Sequence, residues 1–284
     1  MKRLSLGVAI LVFAGTALAQ RVSDLNGNHV QLHPTNENAQ NDNEPGWAKS
    51  GGSSTQNLTD HGGAVIPNAK VVSIFWGPTW SNSQNSDNGV AADLTNFFGQ
   101  FGTSPEYNTI TEYRVNQHDL GRIAWYDATT PPTNVTDSIL QGEVVKYLST
   151  HSYDGSTIYE VFLPGTSYSS YGSSTSCGGP HLTYCAYHGN FNYNGTDIKY
   201  ASIPYASCGG CQAAGFNLAQ NLEHFACHET REAVTDADGT AWYDRRGNEA
   251  DDKCAWSPAP FIGTGGFGYQ WEWSNTARGC IKTR

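Results

Sequence analysis

The sequence predicts a mixed α/β domain: a mixed sheet, a long helix and an irregular C-terminal part stapled by disulfides. Three observations predict it. Runs of β-branched and aromatic residues of strand length recur, several closed by Gly or Pro. Stretches with apolar residues at helical spacing lie between them. All seven cysteines fall from Cys177 onward. The chain has 284 residues, 38% hydrophobic and 15% charged, too apolar and too weakly charged to be wholly disordered. It shows no repeat period and no heptads. Its net charge of −10 argues against an electrostatic grip on nucleic acid or an anionic membrane.

The elements follow in order. Met1-Lys2-Arg3 is basic, Leu4 to Leu18 is apolar, and Ala17-Leu18-Ala19 is an A-x-A cleavage site. Residues 1–19 therefore read as a signal peptide and the protein as secreted. Residues 20–60 carry few apolar anchors and read as a flexible leader or linker, with the folded domain over 61–284. Lys70 to Trp76 is a buried strand ended by Gly77-Pro78. Asn88 to Phe101 and Asp137 to Leu148 are amphipathic helices. Thr157 to Leu163, Leu182 to Tyr187 and Ile198 to Pro204 are strands. Ala213 to about Thr235 is a long helix, followed by turns and short strands.

In an exported protein the cysteines pair by default. Local spacing gives Cys177–Cys185, Cys208–Cys211 and Cys254–Cys280. Cys227 is left as a small buried residue inside the long helix.

That helix carries His228-Glu229-x-x-Glu232. Residues four apart share a helix face, so His228 and Glu232 can hold one ion. Glu229 points about 100° away and can act on a water without ligating the metal. This is the geometric logic of the zincin helix H-E-x-x-H, with the second His replaced by a carboxylate. Glu249, beyond a turn-rich reversal over Asp236 to Arg246, is the expected third ligand. One imidazole and two carboxylates with an open position fit catalytic Zn²⁺, and would also suit Mn²⁺, Fe²⁺ or, weakly, Ca²⁺. Zinc would lower the pKa of a bound water to about 7 and polarise a carbonyl, with Glu229 as general base passing the proton to the leaving amine. His224, one turn before His228, is an alternative ligand. Asp236 reads as a turn cap.

Several blocks together resemble the microbial branch of the EXORDIUM-like, or phosphate-induced protein, family. They are His61-Gly-Gly-Ala-Val through Ile74-Phe-Trp-Gly-Pro-Thr-Trp80, then Cys185-Ala-Tyr-His188-Gly189 with Ile203-Pro-Tyr-Ala and Cys208-Gly-Gly-Cys211. HETREAVTDADGTAWYDRRGNEADDKC and Gly263 to Tyr269 complete the set. The resemblance spans His61 to the C-terminus, departing at Thr235-Asp236-Ala237, where the family has Thr-Asp-Pro. It implies a secreted or cell-wall-associated protein. Microbial members with H-E-x-x-E resemble zincin-type zinc metallopeptidases, so a zincin-like catalytic domain acting on a peptide or protein substrate is expected here. His188 lies on a strand just before the active helix, which in zincins lines the cleft and pairs with extended substrate. His188 or Tyr243 could donate to a developing oxyanion. The alternative is a non-catalytic extracellular or cell-wall binding protein in which Trp76, Trp80, Trp242, Trp256, Trp271 and Trp273 stack on sugars or peptides.

Overall fold

The computed structural model describes residues 21–23, 28–40 and 56–284; the segment read as a signal peptide lies outside them. Numbered in chain order, the elements begin with β1 (Arg21–Ser23), β2 (His29–Pro34), α1 (Asn36–Ala39), β3 (Thr59–Asp60), β4 (Lys70–Trp76) and α2 (Ser86–Phe101). β5 (Gly121–Asp127), β6 (Asn134–Thr136), α3 (Asp137–Leu148), β7 (Thr157–Phe162), β8 (Tyr168–Tyr171) and β9 (Ser174–Thr175) follow. Then come β10 (Tyr184–Tyr193), β11 (Thr196–Ile203), α4 (Leu218–Thr235) and β12 (Trp242–Tyr243). The short ribbons β13 (Phe261–Ile262) with β14 (Gly268–Tyr269), and β15 (Glu272–Ser274) with β16 (Gly279–Ile281), close the chain.

A seven-stranded sheet in the order β1-β2-β10-β11-β7-β4-β5 forms the frame. β11, β7, β4 and β5 are parallel, while β10 runs antiparallel to β11 and β2 antiparallel to β10. Both faces are covered, which explains the unbroken apolar runs of the central strands. On one face Phe97, Phe98 and Phe101 of α2 and Leu222, Phe225 and Ala226 of α4 pack with Val71, Phe75 and Ile158. On the other, Leu140, Val144 and Tyr147 of α3 pack with Val72, Ile74, Tyr159 and Val161.

Three sequence expectations change. The leader is not featureless: residues 29–34 form β2, inside the main sheet. Before Pro34 the apolar residues of β2 are only Val30 and Leu32, but they alternate with His29, Gln31 and His33, and the alternation matches a strand buried between two different faces. The disulfides cross rather than close locally: Cys177–Cys208 and Cys185–Cys211 replace the two short pairs, while Cys254–Cys280 forms as read. The strand containing Cys185 lies beside the 3-10 turn containing Cys211, so tertiary proximity overrides chain proximity. The long helix starts at Leu218, not Ala213. Asn217 fixes that start with a capping box: its side chain accepts from Gln220 N–H and the Gln220 side chain accepts from Asn217 N–H. Cys227 is buried and unpaired, as read.

Candidate metal centre

α4 lies against β10 with its polar residues turned toward the sheet, and β2 closes the space from beyond β10. His228, Glu229 and Glu232 have no exposed surface, nor have His33, Gln31 and Glu249; His188 and His29 are all but buried. A sheet that alternates faces explains the company. His188 is in register with Gln31, so both project to the α4 side, while Tyr187 and Leu32 face α3.

His228 Nε2 lies 3.0 Å from Glu232 Oε2, one helical turn on. Neither atom makes a hydrogen bond. The rest of each side chain is held. Gln270 Nε2 donates to the Asp251 carbonyl at 2.7 Å, which turns Gln270 Oε1 toward His228. That oxygen can only accept, so His228 Nδ1 donates to it at 3.2 Å and carries the proton. Nε2 is left with its lone pair outward. Burial keeps the ring neutral by pushing its pKa down to about 3. Glu232 Oε1 accepts from the Asp252 backbone N–H at 2.9 Å, leaving Oε2 for the His228 side. Burial raises the Glu232 pKa.

Around this pair the donors continue. Asp252 Oδ1 lies 3.8 Å from His228 Nε2. His188 Nδ1 lies 3.1 Å from Glu229 Oε2, a hydrogen bond, and 3.7 Å from Glu232 Oε2. Glu249 Oε2 is 3.6 Å from His188 Nε2, and its Oε1 is 3.6 Å from His29 Nε2. The His33 ring sits 4.2 Å from the His228 ring, centre to centre. Burial, and then the repulsion of Glu232 and Asp252, raises Glu229 well above an ordinary carboxyl.

The expected ligands therefore assemble unequally. His228 and Glu232 converge, and the carboxylate grouped with them is Asp252. Glu249, three residues earlier, groups with His188 and His29, and His188 bridges the two sets through Glu229 and Glu232. His188 thus stands among the potential ligands, on the side of α4 that carries Glu229. Tyr243 pairs in β12 with β3 and stacks on His61, with ring centres 3.7 Å apart. Gly63 lets that ribbon close, since a Cβ there would lie 2.3 Å from the Thr240 carbonyl carbon. His224 is buried among Phe225, Trp256 and His33 and joins none of the ligand groups. Asp236 caps α4 and accepts from Ala241 N–H.

Sequence reasoning missed Gln270, His29, Gln31 and His33, and read Asp252 only as part of an acidic Glu249/Asp251/Asp252 cluster that could hold a structural Ca²⁺. The alternation His29-Val30-Gln31-Leu32-His33 was a usable strand signal, with its polar residues all on one face. Gln270 carries no such signal, because it reaches His228 only through the tertiary fold.

No family model, curated protein or solved structure was found to match the chain. Three disulfides are present, and among the described residues no helix is long and apolar enough to cross a membrane.

Proposed function

We propose that this protein is a secreted, metal-dependent hydrolase of zincin type, acting on peptide bonds. The observation that carries the reading is the pair on α4: His228 Nε2 and Glu232 Oε2, 3.0 Å apart and without hydrogen bonds, each fixed from behind by Gln270 or the Asp252 N–H. Such backing orients metal ligands and sets the histidine tautomer. An imidazole with carboxylates suits Zn²⁺, and also Mn²⁺ or Fe²⁺. His228 and Glu232 would hold the ion, with Asp252 or, through His188, Glu249 completing the set. The cation would supply Lewis acidity to a carbonyl and to a water.

The remaining chemistry belongs to the chain. Glu229 is next to a ligand but on another side of the helix, and its Oε1 has no hydrogen-bond partner. It is placed to take a proton from water and return it to a leaving amine. His188, hydrogen-bonded to Glu229 Oε2, orients that carboxyl. The disulfides support export, where such bonds persist.

The test is hydrolysis of a casein or quenched-fluorescent peptide substrate by zinc-loaded protein, with and without chelator. Chelator-sensitive cleavage that Glu229→Gln abolishes while metal stays bound supports the reading; equal activity in Glu229→Gln overturns the base. One observation favours a second reading. Every candidate ligand is buried, and closed sites are the mark of structural metals. In that case the protein is a non-catalytic extracellular or cell-wall binding protein, and chelator lowers its melting temperature without any activity to lose.

A further inference from the structure

The candidate site is roofed by a strand that comes from outside the domain's continuous stretch. β2 lies before residue 41 with its neighbour β1, and the other five strands of the sheet all begin after residue 69. It adds to β10 on the side away from β11, antiparallel, with Val30 opposite Gly189, Gln31 opposite His188 and Leu32 opposite Tyr187. The three inward side chains of β2 all enter the site. His29 faces Glu249 at 3.6 Å, Gln31 donates to Asp252, and the His33 ring lies 4.2 Å from that of His228. The alternate side chains, Val30 and Leu32, lie in the apolar cluster that holds Tyr184 and Tyr187 of β10.

The receiving edge is shaped for an incoming backbone. A Cβ on Gly189 would come within 2.4 Å of the His29 carbonyl oxygen, and one on Gly239 within 2.5 Å of the His29 ring. Glycine at 189 has no turn to make, since it sits inside a strand. Its missing side chain serves the approach of β2.

We propose that β2 occupies the groove in which an extended peptide substrate pairs with β10, and so holds the protein latent until residues 29–34 are displaced. The inference rests on the hydrolase reading above. It names the substrate class too. A peptide taking the place of β2 would run antiparallel to β10, with main-chain hydrogen bonds giving affinity and alternate side chains giving specificity. Branched aliphatic residues two apart would fill the places of Val30 and Leu32. The residue in the position of His33 would stand over His228 and Glu229.

The experiment uses the full chain, zinc-loaded, with a site-specific protease sequence inserted between Gln40 and Gln56. Hydrolysis of a quenched peptide library is measured before cutting, after cutting and washing, and after adding back a synthetic peptide of residues 28–35. At least a tenfold rise on cutting is expected, reversed by the peptide and not by its Leu32→Asp form. Gly189→Ala in the uncut chain, whose added Cβ would meet the His29 carbonyl oxygen, should loosen β2 without removing it, seen as faster amide exchange over residues 29–34. Full chelator-sensitive activity in the uncut chain, unchanged by cutting, overturns latency and leaves the hydrolase reading standing. Unfolding of both the cut chain and Gly189→Ala overturns it as well, making β2 a permanent strand. Metal-loaded protein inactive in every form overturns the hydrolase reading, and latency with it.

Discussion

Gln270 decides which nitrogen of His228 is available, and this makes it the most informative single residue outside α4. Its amide is fixed by the Asp251 carbonyl, and its oxygen takes the Nδ1 proton. Gln270→Leu should therefore weaken metal binding by roughly 10–100-fold while leaving the ligands in place; isothermal titration with zinc checks it. Arg231 secures the same corner from the helix. It ion-pairs with Asp251, lies 3.6 Å from Glu272 and donates to the carbonyls of Glu106 and Gln270. Arg231→Met leaves two buried acids uncompensated and should cost roughly 3–5 kcal/mol, seen as a lower urea midpoint. Of these residues, His228, Glu229 and Glu232 were legible because one helix presents them at fixed spacing. Glu249 was legible as an acid beyond a reversal. Its partners were not, since a register between β2 and β10 decides that it meets His29 and His188.

At the scale of elements, β4 and α3 were readable to the residue because their patterns are local: an apolar run ended by Gly-Pro, and an amphipathic stretch after Thr136. β10 is longer than its apolar core suggests. It continues to Tyr193 through His188, Gly189 and Asn190, polar or small positions that are buried only because α4 and β2 cover them. Cysteine connectivity was unreadable for the same reason, spacing being no guide to which strand lies beside which turn. Cys254–Cys280 closes 26 residues over the segment that carries Gln270. Replacing both cysteines by Ser should cost about 3 kcal/mol on the loop-entropy scale, visible as a drop in melting temperature. If the disulfide helps place Gln270, zinc affinity falls with it.

For the molecule as a whole, α3 contributes a pH dependence separate from the candidate metal site. Glu143 is buried, and burial followed by its hydrogen bond with Asp127 pushes its pKa up to about 8. The folded state thus keeps the proton and the unfolded chain releases it near 4.5. Its contribution to stability is fullest below about pH 4.5 and is lost as pH rises through about 8. Glu143→Gln should flatten the fall in melting temperature over that range, read by calorimetry across pH. The architecture itself, a twice-covered sheet with α4 beneath its antiparallel end, brings residues from 29 to 270 to one point, which no local pattern could announce. The central claim is that α4 holds a divalent cation there. Its most direct test is the metal content of the full-length chain equilibrated with zinc and then desalted, compared with His228→Ala and Glu232→Ala variants that keep the same circular dichroism. The account predicts one equivalent in the wild type and loss of it in both variants; a folded wild type that retains none, or a His228→Ala chain that retains as much, would contradict it.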